Sequence, residues 1–427
     1  MIGPLSAPAT EGGVLAVFGI VYLGMFLGGL PHLKLDRSGV AVLGAIAMIA
    51  ITGMPMEEAA RSVDLPTIVL LFAFMVVSAQ MRLGGFYGLV TRTVGTLALS
   101  RAGLLAVLIA VAGGLSAVFS NDVICLAMTP VVARLCLRRG LAPLPFLVGL
   151  ACAANIGSAA TLIGNPQNML IGSVLKLHFA DYLRVALLPV CASLLLLWAW
   201  LAFGPGARAA AVRTRAWPDS ALPAVTPDAD PDTADFDPFQ TLKGLTVALA
   251  LMAVFLFTGW PRDEAALVGA GVLLLSRRLH SADVMGYVDW PLLLLFIGLF
   301  VVNHAFQGTG LAADAVAWLA TLGMHVAEPG ALLVLGALLS NLVSNVPAVM
   351  LLLPHLGAQA EQAGMLLALA STFAGNLLLV GSIANLIVVD GAEKEGIRIS
   401  WRQHARTGVP VTLGSLALLW GGMVWAV

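Results

Sequence analysis

Residues 115–130 read LSAVFSNDVICLAMTP, and residues 338–354 read LLSNLVSNVPAVMLLLP. Each stretch sets a short polar tip, Ser120-Asn121-Asp122 or Ser344-Asn345-Val346, in an apolar run. Each tip meets a proline nine residues after its Asn, at Pro130 or Pro354. Both landmarks recur at an offset of 224 residues. Val63-Asp64-Leu65-Pro66 recurs as Val288-Asp289-Trp290-Pro291 at 225, and TLIGNPQNMLI (161–171) recurs as LLVGSIANLIV (378–388) at 217. Three matches in one order predict an internal duplication.

The surroundings of the tips decide the solvent. The chain has 427 residues, 59% hydrophobic and 11% charged, whereas soluble domains carry about 25% charged residues. Together with a mean hydropathy of +0.96, this predicts an integral membrane protein. The net charge of −1 gives no basic field for nucleic acid. The four cysteines (Cys125, Cys136, Cys152, Cys191) have no metal or CxxC spacing and read as small packing residues. The first apolar run has no basic residues before it, with Lys34 and Arg37 after it, so it reads as a retained helix rather than a signal peptide.

A helix crosses the hydrocarbon core with about 20 apolar residues. In repeat one (1–203) the spans are 13–31, 38–54, 64–81, the interrupted 144–173 and 183–203. In repeat two (241–427) they are 241–259, 264–279, 290–306, the interrupted 363–390 and 408–427. Between the repeats, 204–240 is rich in Pro and Asp and reads as a solvated linker. The tip segments behave differently. Residues 102–133 as one helix would reach about 48 Å against a core of about 30 Å, while two crossings would need about 40 residues. Split at the tip, 102–133 and 328–354 each form a re-entrant hairpin. An amphipathic piece precedes each hairpin, at 82–99 and 308–324.

Charge orients the chain. With the N-terminus outside and the first hairpin entering from the cytoplasm, only Arg61, Lys176, Arg184 and Arg262 of the 22 Lys and Arg fall outside. Both termini are then outside and the linker is cytoplasmic. Five crossings per repeat is an odd number, so the repeats are inverted. The expected fold is all-α, with about 10 transmembrane helices, two re-entrant hairpins and two broken helices. Inverted repeats with helices broken at mid-membrane point to a transporter.

Non-helical backbone at membrane depth belongs where it lines a polar cavity. Four such places carry the candidate site: the tips (Ser120, Asn121, Asp122; Ser344, Asn345) and the two breaks. The first break brings Asn155, Gly157, Ser158, Thr161, Gly164, Asn165 and Asn168; the second brings Gly375, Asn376, Gly381, Ser382 and Asn385. Unwound carbonyls suit a cation, and half-helix N-termini suit an anion. Taken singly, such Asn and Ser residues also serve as helix caps and interhelical glue. Asp122 is an ionisable group at membrane depth whose repeat counterpart is Val346. It suits carrying a proton, ligating a cation, or capping the second hairpin arm. His304 reads as a packed interfacial residue. No Walker loop, HExxH or nucleophile elbow appears, so neither ATP coupling nor an enzyme is expected.

SNDVICLAMTP, IGNPQN, SNVPAVMLL, GSIANLIVV and RISWRQHARTG (398–408) together resemble the ion transporter superfamily, nearest its arsenite permease and citrate-transporter-like branch. The resemblance runs over essentially the whole chain outside the linker. It implies a scaffold and a moving transport domain, elevator-type alternating access, frequent homodimers, and substrate-binding tips at Ser120, Asn121, Ser344 and Asn345. Dicarboxylate members carry Ser-Asn-Thr at both tips; here the third positions are Asp122 and Val346. A carboxylate at one tip is similar to the arsenite-permease branch. The expected function is therefore secondary transport of a small oxyanion or metalloid across a bacterial-type inner membrane, coupled to protons through Asp122. The coupling ion is H+, or Na+ in the alternative reading, and no cofactor or metal is expected. The alternative is a sodium/proton antiporter or a sodium-coupled carboxylate or anion transporter.

Overall fold

The structure, a computed structural model, describes residues 7–30, 33–205 and 236–425. The linker expected at 204–240 therefore lies almost wholly outside the described residues. Twenty α-helices are described, ten in each half. The first ten are α1 Ala7–Leu27, α2 Arg37–Thr52, α3 Met56–Arg61, α4 Leu65–Leu83, α5 Phe86–Thr96, α6 Arg101–Phe119, α7 Asn121–Arg138, α8 Leu144–Ser158, α9 Pro166–Val174 and α10 Phe179–Phe203. The second ten are α11 Pro238–Phe257, α12 Arg262–Leu274, α13 Ser281–Met285, α14 Trp290–Gln307, α15 Leu311–Thr321, α16 Pro329–Val343, α17 Asn345–Leu352, α18 Ala360–Ala374, α19 Ile383–Lys394 and α20 Trp401–Trp425. Each helix of the first set has a counterpart ten places later.

The local chemistry repeats with the helices. Asp64 caps α4 by accepting from Thr67 N at 2.9 Å, and Asp289 caps α14 by accepting from Leu292 N at 2.9 Å. A proline follows each cap within the first turn, where its missing N–H costs nothing. α5 and α15 each start after a left-handed glycine, Gly85 (φ +72°) and Gly310 (φ +78°). Gly157 lets α8 approach α6 closely, since a Cβ there would lie 2.2 Å from the Gly113 carbonyl oxygen.

Six helices (α1, α4, α6, α10, α11, α14) are long and apolar enough to cross a membrane. α2, α8 and α16 are apolar but shorter. Large apolar side chains line the outside, with Leu188 and Phe257 at 75% and 83% exposure, as expected where lipid is the solvent. α20 begins at Trp401, seven residues before the span expected at 408–427, so RISWRQHARTG is largely helical. The reason is burial: His404 is 2% exposed, and its Nε2 lies 3.0 Å from the Asn376 carbonyl oxygen. His304 is not simply packed either. Its Nε2 lies 3.1 Å from Glu58 Oε1.

The halves pack reciprocally. α2 lies on α14 while α12 lies on α4; likewise α7 lies on α19 while α17 lies on α9. Each hairpin's second arm thus rests on the far half of the other repeat's broken helix. α6 also packs on α8, α16 on α18, and α10 on α20. The hairpins, broken helices and closing helices so form one group, beside a second built mainly from α1, α2, α4, α11, α12 and α14.

Candidate functional site

The hairpins turn at one residue each. Ser120 joins α6 to α7 at φ 70°, ψ 134°, and Ser344 joins α16 to α17 at φ 76°, ψ 160°. These are sparsely populated conformations for a residue with a Cβ, costing about 1–3 kcal/mol each. The surrounding packing imposes the same strained turn twice. The turn starts α7 at Asn121 and α17 at Asn345, and the breaks restart helices at Pro166 and Ile383. Residues from all four N-termini (Asn121, Pro166, Asn345, Ile383) line one cavity of about 40 Å3. The dipoles of these four helix N-termini each add a positive contribution to the potential there.

Asp122, Gln167, Ser344 and Ser382 also line this cavity. Its far wall is Leu292, Leu295, Phe296 and Leu299 of α14, with Met25 and Arg37. Asp122 further lines an adjoining cavity of about 110 Å3 together with Ser78, Ser120 and Asp289. The Asp122 Oδ1, Asn121 Oδ1 and Asn345 Oδ1 atoms are buried and have no hydrogen-bond partner among the described residues. Arg37 Nε is in the same condition.

Behind the tips lies a hydrogen-bonded amide network. Asn155 is its hub: Oδ1 accepts from Asn121 Nδ2 and Ser382 Oγ, both at 2.9 Å, and Nδ2 donates to Asn376 Oδ1 at 2.9 Å and Asn385 Oδ1 at 3.1 Å. The repeat counterpart of Asn155 is Thr372, whose Oγ1 accepts from Asn165 Nδ2 at 3.3 Å and Gln167 Nε2 at 3.0 Å. Asn165→Thr372 and Ser382→Asn155 are thus one contact seen from either side of a pseudo-two-fold axis, as in an isologous interface. Asn168 donates to Thr161 O at 2.8 Å, and its counterpart Asn385 donates to Leu378 O at 3.2 Å.

The predicted site residues therefore divide. Asn121, Asp122, Ser344, Asn345 and Ser382 line the cavity between the tips, and Ser120 lines the adjoining one. Asn155, Ser158, Asn165, Asn376 and Asn385 form the buried network that holds them. Gly164 accepts from Asn121 N through its carbonyl at 3.2 Å, and Thr161 Oγ1 donates to Ala117 O at 2.5 Å, tying break to hairpin. Gly375 lies against Asn345 Nδ2, and Gly381 against Asn341 Oδ1. Two candidates face elsewhere: Gly157 is a helix-packing glycine, and Asn168 turns to Tyr182 OH at 3.0 Å. Thr372, Gln167 and Arg37 escaped the sequence reading. Thr372 was within its reach, because the offset of 217 that relates the breaks maps Asn155 onto it.

The chain as a whole is similar to known proteins. A family model described as citrate transporter matches residues 22–374. A silicon efflux transporter of Oryza sativa subsp. japonica is 29% identical, over 93% of this chain and 94% of its own. The inner membrane protein YbiR of Escherichia coli (strain K12) is 30% identical, over 85% of this chain and 87% of its own. A putative transporter, arsB, of Dictyostelium discoideum is 24% identical, over 90% of this chain and 86% of its own. Among solved structures, the YdaH transporter of Alcanivorax borkumensis superposes with a TM-score of 0.57 over 98% of both chains at 14% identity, a likeness of fold.

Proposed function

Because this chain belongs to the citrate transporter family, a family of multi-pass membrane transporters, we propose that it is a proton-coupled secondary transporter of a small oxyanion or metalloid hydroxide. The observation that carries this reading is the position of Asp122. Asp122 lines both cavities beside the first tip, with one carboxyl oxygen unpartnered among the described residues. One titratable group shared by two compartments can take a proton from one and release it to the other.

Size supports a small solute. The cavity of about 40 Å3 is far below the roughly 300–1,000 Å3 of sites for drug-sized ligands. Its lining of amide, hydroxyl and N-terminal N–H groups suits a compact, hydroxyl-rich species better than a tricarboxylate. The rice relative's name, a silicon efflux transporter, points to a solute of that kind. Arg37 supplies one positive charge opposite Asp122, suited to an oxyanion or to the ionised carboxylate.

The carbonyls argue for a proton over sodium. Thr161, Gly164, Ala374, Gly375, Asn376 and Leu378, all in or beside the breaks, already have their carbonyl oxygens engaged by protein groups. A sodium ion would compete with those contacts for its ligands. The transport cycle that fits is elevator-like, with the hairpin group moving against α14 and its neighbours in an inner membrane, both termini outside. Proteoliposome flux with arsenite, antimonite, silicic acid and citrate, under a pH or a sodium gradient, tests this reading. The expected result is pH-driven flux of one of the three small hydroxides that Asp122→Asn uncouples. Proton-coupled transport surviving Asp122→Asn, or flux of citrate on a sodium gradient alone, refutes it.

A further inference from the structure

A third cavity, of about 580 Å3, lies away from the tips, between amphipathic α5 and the C-terminal half of α7. Five arginines line it: Arg82, Arg92, Arg134, Arg138 and Arg139, and none of the lining residues is acidic. Ala127, Val131 and Leu135 of α7 give it an apolar wall. A low-dielectric wall beside several like charges strengthens their field.

The duplication provides an internal control. At the repeat-related positions stand Gln307, Ala317, Ala358, Gln362 and Ala363. Gln307 at the end of α14 and Ala317 on α15 show that the repeated architecture does not require the charges of Arg82 and Arg92, while α17 ends at Leu352 and has no counterpart of the α7 turns that carry Arg134 and Arg138. Orientation of the chain asks for cations near loops. It does not ask for Arg82 at the end of α4, Arg92 on α5, and Arg134 and Arg138 on α7 to converge on one cavity.

Three of the five are already held in place. The Arg139 guanidinium donates to the Gly95 carbonyl and, at 3.1 Å, to Leu97 O at the end of α5. Arg134 pairs with Glu395 at 3.1 Å, and Arg82 stacks over the Tyr287 ring at 4.7 Å. Arg92 and Arg138 have no ion-pair or hydrogen-bond partner among the described residues. Forked guanidinium donors suit the oxygens of a phosphate group, and basic pockets between membrane helices bind acidic headgroups.

We propose that this cavity binds the phosphate group of an acidic phospholipid headgroup, with an acyl chain along the α7 wall. The bound phosphate bridges α5 and α7 through Arg92 and Arg138. It thereby restrains the hairpin whose far end carries Ser120. The site is separate from the cavity between the tips, and its occupancy is readable without knowing the transported solute.

The test is thermal unfolding of the full-length protein in detergent, with phosphatidylglycerol, phosphatidylcholine or glycerol 3-phosphate added. Wild type is compared with Arg92→Gln/Arg138→Gln and, as a charge-preserving control, Arg92→Lys/Arg138→Lys. Phosphatidylglycerol is expected to raise the unfolding temperature of wild type and, by less, of the lysine variant. It should not raise that of the glutamine variant, and phosphatidylcholine should move none of them. A matching rise with glycerol 3-phosphate would keep the phosphate site and overturn the lipid as its source. No rise in wild type with either phosphate compound, or an equal rise in the glutamine variant, overturns the proposal.

Discussion

Ser120 and Ser344 hold a backbone conformation that glycine would adopt freely, and both are serine. At such a position the side chain decides what is tolerated. Ser344→Gly is expected to leave thermal stability in place, whereas Ser344→Val should destabilise by about 1–3 kcal/mol, read by unfolding in detergent. The hub residues make a second comparison. Asn155 makes four side-chain hydrogen bonds with both hairpin and broken-helix partners. Asn155→Ala strands several buried polar groups and should cost more than about 3 kcal/mol. Thr372→Val removes a single hydroxyl and should cost about 1–2 kcal/mol. The same unfolding assay ranks them, and equal costs would contradict the hub assignment. Arg37 is a third case, opposite Asp122 across the cavity. Arg37→Gln should weaken flux of an anionic solute severalfold while a neutral hydroxide is less affected, as measured by uptake at fixed pH.

At the scale of elements, close packing of α6 and α8 sets where the first tip sits. Gly157→Ala places a methyl group against the Gly113 backbone, so the helices must separate and the Asn121–Asn155 bond lengthens. Transport should fall together with thermal stability, whereas Gly114→Ala, with open space around its Cβ, should change neither. The hairpins and breaks were legible because glycine, proline and asparagine stand out in an apolar chain and recur at a constant offset. The start of α20 was not, because Arg402, His404 and Arg406 look like a solvated loop until His404 is seen buried against Asn376. Arg37 read as a marker of orientation, and nothing in a linear sequence shows that α2 brings it to the tips. Pro130 and Pro354 looked equivalent. Yet Pro130 sits inside a continuous α7, while Pro354 lies in the short 3-10 turn that ends the second hairpin.

For the whole molecule, the reciprocal packing means that the cavity has one wall on each of two groups of helices. Leu299 of α14 and Val346 of α17 face it from opposite groups. With Cys191, which is exposed, replaced by serine, a Leu299→Cys/Val346→Cys pair should cross-link under mild oxidation and stop flux, with reduction restoring it. Full transport by the cross-linked protein would rule out relative motion of the two groups. The pseudo-two-fold axis also relates Asp122 to Val346, and that inequality sets a ceiling. With Asp122 the one carboxylate among the residues lining the cavity, the proton coupling proposed above would exchange one proton for one solute in each turn of the cycle. A single proton supplies about 1.4 kcal/mol per pH unit and about 2.3 kcal/mol per 100 mV. For an uncharged solute, the steepest gradient the protein sustains is then about tenfold per pH unit, and collapsing the membrane voltage removes its share of that gradient even at constant pH.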